Sequence, residues 1–115
     1  MATERVSLHG GAQLVSQRRL AIVTTGSSSC PSVPDELVVL SPHVIRIHLT
    51  TGSWINGEPV AHPPRNGMCT ADLGRTPMLV AIDPKEIDVH RPLTVRIYYR
   101  ESTTAEVHTA APLDG

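Results

Sequence analysis

Alternating apolar and polar residues mark two segments of the chain as β-strands with one buried face. Four apolar residues of 93–100 occupy alternate positions: Leu93, Val95, Ile97 and Tyr99. The segment 43–49 has the same period, and its polar residues Arg46 and His48 share the opposite face. We therefore expect one side of each strand to enter the core and the other side to face water.

Further strands are predicted from less regular segments. Residues 20–23 form a continuous apolar run, which is typical of a strand covered on both faces. Shorter strands are predicted over 36–40, 78–82 and 105–109, the last of them at a sheet edge. Only Ser41-Pro42 separates 36–40 from 43–49, so we expect these two strands to form a hairpin.

The strand pattern stops between residues 50 and 67, where three Gly and three Pro surround the only tryptophan of the chain, Trp54. Long connections of this kind are usually functional or poorly ordered. Aromatic residues are frequent in binding hot spots, and arginine adds bidentate polar contacts. Trp54, Ile55 and Arg65 are therefore the candidate partner-binding residues, with 52–67 as the contact region. The alternative is that Trp54 and Ile55 fold back as a lid over one end of the core.

Composition favours an all-β fold. Apolar residues make up 40% of the 115-residue chain, Phe is absent, and 10 Pro and 8 Gly punctuate it. We expect a small antiparallel β-sandwich (Ig-like) or a partly open barrel of five to seven strands. One domain would span 13–109, between a disordered or expression-derived segment (1–12) and a C-terminal tail (110–115). An α+β arrangement with one helical turn at 84–89 is the alternative.

Charge and hydropathy exclude two classes of partner. Ten basic and eleven acidic residues leave a formal net charge of -1, whereas nucleic-acid binding requires a concentrated positive field. No apolar run reaches the ~18 residues of a transmembrane helix. We therefore expect no nucleic-acid partner and no transmembrane segment.

The only two cysteines, Cys30 and Cys69, lie in turn-forming contexts near strand ends. A disulfide between them would close a loop of about 40 residues and stabilise the fold by roughly 3–4 kcal/mol. Such a bond implies an oxidising compartment, although residues 1–11 lack the apolar run of a secretory signal. We expect an extracytoplasmic or secreted protein whose leader was removed. The alternative is a cytoplasmic protein with two reduced thiols.

Two blocks of the chain resemble a group of small uncharacterised actinobacterial proteins. They are 20–31, which ends in Gly-Ser-Ser-Ser-Cys-Pro, and 69–77, which begins Cys-Thr-Ala-Asp-Leu. The proline-introduced strand 91–97 is similar as well, so the resemblance covers roughly 19–98. Members are typically exported or lipid-anchored to the cell envelope and have no assigned activity. The resemblance implies a β fold, the Cys30–Cys69 disulfide and an envelope location. The chain departs from the group in lacking a leader and in its longer 54–67 segment.

Candidate chemistry is sparse. A nucleophilic Cys30 would need a lowered thiol pKa and a histidine to hold the thiolate, and none of the six histidines belongs to a recognisable motif. Zinc sites use closely paired ligands, which the scattered Cys and His positions do not provide, so we predict no metal and no cofactor. Asp72 and Gly26 are assigned structural roles in turns, Asp72 by accepting amide hydrogens and Gly26 by relaxing φ.

These features lead to one functional hypothesis and two alternatives. The first is a non-enzymatic β-sandwich module of the bacterial cell envelope, which binds a protein or surface polymer through 52–67. The second is a small hydrolase or inhibitor-like protein that uses the Cys30 turn. The third is a structural assembly subunit, which would associate through an edge strand.

Overall fold

The computed structural model describes residues 11–64, 67–100 and 102–113, and in these ranges it contains nine β-strands and no helix. The strands are β1 (Ala12–Ser16), β2 (Arg19–Gly26), β3 (Ser32–Ser41), β4 (Val44–Thr51), β5 (Ser53–Ile55), β6 (Glu58–Val60), β7 (Gly74–Ala81), β8 (Leu93–Tyr99) and β9 (Glu106–Ala110). The all-β prediction is confirmed. The segment 84–89 forms a turn, in which the amide of Ile87 donates to the Asp83 carbonyl at 3.0 Å, and not a helix.

The strands form three sheets, with the orders β1-β2-β7, β3-β4-β8-β9 and β5-β6. The first two supply most of the core residues between them, an arrangement consistent with a small β-sandwich, and the connection from β7 to β8 adds Ile82, Ile87 and Val89. The predicted hairpin is confirmed as β3 and β4, which pair antiparallel. The β4–β8 pair runs parallel, while every other pair of strands described here is antiparallel. A parallel pair needs a long crossover, which the chain from β5 to β7 provides.

The core is aliphatic, and the alternating strands fill it as predicted. Ile45 and Ile47 of β4 and Val95 and Ile97 of β8 are fully buried. Residues 20–23 of β2 are all buried, so the expectation of a strand covered on both faces is confirmed. Each large aliphatic side chain removed from water contributes about 1.5–3 kcal/mol, which allows a core without Phe.

Element ends differ from the sequence-based boundaries. β1 begins at Ala12 and β9 ends at the fully buried Ala110, so both positions belong to the folded domain. The amide of Leu113 also donates to the Val89 carbonyl at 2.9 Å, so residues 110–113 are bonded to the domain and the expected C-terminal tail is wrong for them. Residues 1–10, 114 and 115 lie outside the described residues. β3 extends back to Ser32 in spite of Pro34, because an edge strand needs no amide donor on its free side.

Gly52 connects β4 to β5 at a point with no room for a side chain. Its amide donates to the Pro31 carbonyl at 2.7 Å. A Cβ at this position would collide with the Val60 carbonyl oxygen and approach Val33 Cγ2 to 2.7 Å. The absence of a side chain at Gly52 therefore allows the β5–β6 hairpin to pack against the end of the sandwich.

We predict that Gly52→Ala lowers the free energy of unfolding by about 1–3 kcal/mol, because the new methyl group must displace backbone. Gly74→Ala is the matched control, since a Cβ there meets its nearest atoms at 3.6 Å, in ordinary van der Waals contact. Urea unfolding of both variants measures the difference. Equal stability of the two would contradict the close approach at Gly52.

Candidate functional site

The disulfide between Cys30 and Cys69 joins two turns at one end of the sandwich. The S–S distance is 2.12 Å and the Cα atoms are 5.5 Å apart, so the predicted pairing is confirmed. Cys30 follows β2 and is buried, whereas Cys69 precedes β7 and is exposed. The bond leaves no thiolate at Cys30, and the hydrolase hypothesis loses its proposed nucleophile.

A network of hydroxyl groups reinforces this junction. The Ser27 hydroxyl lies 2.7 Å from that of Thr70, and the Thr70 amide donates to the Ser29 hydroxyl at 2.9 Å. Asp72 accepts from the Thr70 hydroxyl and from the Ser28 amide, the latter at 3.3 Å. Asp72 was expected to accept amide hydrogens and fix the turn after Cys69. It accepts the Ser28 amide and bonds to both turns, and so also fixes them relative to each other.

The same bonds make Asp72 a stronger acid. The hydroxyl of Ser28, then that of Thr70, and the backbone amide of Ser28 lower the pKa of Asp72 from 3.8 to about 2. Each donor favours the ionised carboxylate over the protonated one. The carboxylate is therefore charged throughout the neutral and mildly acidic range.

Trp54 lies on β5, in a small hairpin beside the junction. The hairpin turns at Asn56-Gly57, and both residues have positive φ, 53° and 79°, as a type I′ turn requires. The pattern of residues 50–67 predicted one irregular connection and no hairpin, although Asn-Gly is a strong hairpin signal. The Ser53 hydroxyl donates to the His62 carbonyl at 2.7 Å and holds the returning chain against the hairpin.

The indole ring of Trp54 is fixed in orientation and still open to solvent. Its Nε1–H donates to the Ser28 carbonyl at 2.7 Å, and the side chain remains 42% exposed. Trp54 also lines two surface grooves. One, of about 360 Å³, is bounded by Ile55, Pro63 and Met68. The other, of about 640 Å³, lies between β6 and β7.

Exposed apolar side chains are concentrated at this end. Among the described residues six large hydrophobic side chains are exposed. Trp54 donates to Ser28 and Ile55 follows it in the chain, while Met68 precedes Cys69 and Leu73 follows Asp72. We call these four the disulfide-end face: Trp54, Ile55, Met68 and Leu73. Met68 and Leu73 are nearly fully exposed, at 78% and 79%. Concentrated apolar exposure of this kind marks interaction surfaces.

The remaining sequence predictions have mixed outcomes. Ile55 is 44% exposed like its neighbour Trp54, so neither side chain forms the alternative lid over the core. Arg65 lies outside the described residues. Gly26 does not have a positive φ, and the expected relaxation of φ is wrong. A Cβ there would instead approach the Ser32 hydroxyl to 2.8 Å, so close packing explains the glycine.

The described residues contain neither a metal-binding cluster nor a membrane-spanning helix. Across 11–64, 67–100 and 102–113, no three His, Cys, Asp or Glu side chains form a group that could hold a metal ion. The same ranges contain no helix with the length and apolarity needed to cross a membrane.

Comparison with known proteins identifies no relative of the chain. No protein family, curated protein or solved structure matches the chain. The resemblance to actinobacterial envelope proteins therefore stays a prediction from the sequence blocks.

We predict that Cys30→Ala/Cys69→Ala lowers the free energy of unfolding by roughly 4 kcal/mol, as loop entropy gives for a separation of 39 residues. Urea unfolding measures the change. Intact mass before and after reduction checks the bond itself, because the oxidised protein is lighter by about two hydrogen masses. An unchanged mass would contradict the disulfide.

We also predict that acid weakens the junction through Asp72. Because the folded-state pKa of about 2 lies below the ordinary 3.8, the carboxylate stabilises the fold above pH ~4. This contribution is lost as the pH falls through about 2. The stability difference between the protein and Asp72→Asn should therefore shrink between pH 5 and 2, as measured by urea unfolding across that range. A difference independent of pH would contradict the role of the charge.

Proposed function

We propose that the chain is a non-enzymatic binding module of the bacterial cell envelope, and that its disulfide-end face contacts a protein partner. The observation that carries this proposal is the exposed Trp54, whose indole is held by the Ser28 carbonyl at 2.7 Å. Hot-spot residues are rigid, large and often Trp, because little entropy is lost when they become buried. The indole of Trp54 is rigid and partly exposed, so it has these properties before a partner binds.

The chemistry around Trp54 favours a protein over a surface polymer. Met68 and Leu73 are highly exposed thioether and aliphatic groups, which gain from apolar contact and not from sugar hydroxyls. The hydroxyls of Ser27 and Thr70 bond to each other and are already used within the junction. The face therefore offers an apolar centre with few free polar groups, as the centre of a protein interface does.

The disulfide supports a location outside the cytoplasm. Structural disulfides persist in oxidising compartments and are rare where thiol reductants are abundant. The resemblance of 20–31 and 69–77 to exported actinobacterial proteins agrees with that location.

The structural-assembly alternative receives less support. The edge strands of the two large sheets are β1, β7, β3 and β9. Pro34 in β3 and Pro77 in β7 each remove a backbone donor, which weakens edge-to-edge pairing between copies.

We predict that Trp54→Ala weakens partner binding by at least about 30-fold, the loss expected of a hot spot of 2 kcal/mol. Peptides selected from a displayed random library against the folded protein serve as the probe. The selected peptides should be rich in aromatic and aliphatic residues. Trp54 is the only tryptophan, so a blue shift of its emission on binding reports its burial directly.

Leu40→Ala is the matched control, because Leu40 is a similarly exposed apolar residue (49%) that lies in β3, away from the junction. It should leave peptide affinity unchanged. An equal loss of peptide affinity in both variants would contradict the assignment of the disulfide-end face as the binding surface. If the protein co-sediments with an uncharged polysaccharide and Trp54→Ala abolishes that binding, the partner is a polymer and the proposal of a protein partner is wrong.

A further inference from the structure

The outward face of the β3-β4-β8-β9 sheet is rich in cationic side chains. Ile45 of β4 points into the core and is fully buried, so the alternate residues Arg46 and His48 point outward. The parallel register sets Arg46 beside Arg96 of β8, and His48 beside Tyr98. Two positively charged side chains thus start from neighbouring positions on one sheet surface.

No carboxylate lies directly opposite either arginine, although Glu36 lies opposite His48 on the same face. The strands on either side contribute Val38, opposite Arg46, and Val107, opposite Arg96. In the described part of the chain, neither arginine has a carboxylate within ion-pair distance. Like charges on adjacent strands repel, so the arrangement is unfavourable until an anion neutralises it.

Polar atoms on this face also lack hydrogen-bond partners. Arg46 Nε and His48 Nε2 are both buried and bond to no other described atom. The His48 ring stacks on Tyr98 with ring centroids 5.0 Å apart and planes 15° from parallel, which holds the imidazole in place. Unpartnered buried polar atoms are uncommon in folded proteins. Because Arg46 Nε is covered by neighbouring protein atoms, a ligand on this face would meet the terminal nitrogens of the guanidinium group.

A groove of about 730 Å³ continues from His48 past the end of the arginine row. It is lined by polar groups: Asp35, Glu36, Thr50, Thr51 and Arg100, besides His48 and Leu49. Arg100 has a φ of 47°, rare for a residue other than glycine, and its amide donates to the Leu49 carbonyl at 3.1 Å. The carboxylates repel an anion from the groove but accept hydrogen bonds from hydroxyl groups.

We propose that this face binds an anionic polysaccharide, with a phosphate or sulfate group over Arg46 and Arg96 and the adjoining sugar in the groove. Guanidinium groups match the oxygens of such groups through paired, charge-assisted hydrogen bonds. The anion neutralises the repulsion between the two arginines and accepts from the terminal nitrogens of their guanidinium groups. Sugar hydroxyls then meet Asp35, Glu36 and the two threonines. This site is separate from the disulfide-end face and does not depend on the proposed protein partner.

The test is a titration of the folded protein with a heparin-derived, sulfated hexasaccharide, followed by calorimetry and by NMR of the Arg46 and Arg96 side-chain Nε–H signals. We expect Arg46→Gln and Arg96→Gln each to weaken binding by at least about tenfold, because each removes a charge-assisted contact. Arg91→Gln is the matched control. It deletes the same charge from a residue that is 69% exposed and lies 3.6 Å from the Asp88 carboxylate. It should change the affinity by less than about twofold.

Each outcome decides between the possible ligands. Inorganic sulfate or phosphate that binds as tightly as the hexasaccharide would overturn the sugar assignment. Equal losses in Arg46→Gln and Arg91→Gln would overturn the site itself and indicate nonspecific charge attraction. Trp54→Ala should bind the hexasaccharide normally, so failure here and failure of the protein-binding proposal are distinguishable. Thermal unfolding of every variant confirms that the fold is retained.

Discussion

The covalent link between Cys30 and Cys69 is the constraint on which one end of this molecule depends. It fixes the turn after β2 to the segment before β7, and the hydroxyls of Ser27 and Thr70 then meet at 2.7 Å. Asp72 bonds to both sides of the junction. The Ser28 carbonyl is thereby held where the indole of Trp54 donates to it. Without the link, these contacts between distant parts of the chain would each have to offset their own loop-closure entropy.

The aromatic residues lie at the margin of the core and on the surface, because aliphatic side chains fill the interior. The interior is filled by small and branched aliphatic side chains, and no aromatic side chain among the described residues is fully buried there. Tyr99 packs at the core margin, where its hydroxyl accepts from the Thr25 amide at 3.0 Å. The other two aromatic residues lie on surfaces. Tyr98 stacks on His48 on the outward face of the β3-β4-β8-β9 sheet, and Trp54 lies at the disulfide end. Aromatic surface is thus present where we propose contact with other molecules.

Local sequence predicts the strands well because alternation reports directly on a buried face. Ile45, Val95 and Ile97 occupy the core as their spacing indicates, and two cysteines allow only one internal pair. The parallel pairing of β4 with β8 has no local signal, since it depends on where a long crossover returns. The pairing of Arg46 with Arg96 also has no signal in the local sequence or in the net charge. The chain as a whole carries -1, while a register set by tertiary folding brings Arg46 beside Arg96.

The arginine pair and Trp54 are separated along β4, whereas the groove beside His48 extends to Thr51 at the end of that strand. Arg46 lies near its start and Trp54 follows its end at Thr51. At about 3.3 Å per residue, the strand alone separates Arg46 from that end by ~17 Å. The chemistry of the surfaces also differs, since one is apolar and fixed by a disulfide junction while the other carries two neighbouring arginines. A protein at the first and a polysaccharide at the second are therefore compatible in one molecule. That geometry is suited to a small module that holds a protein against an anionic polymer.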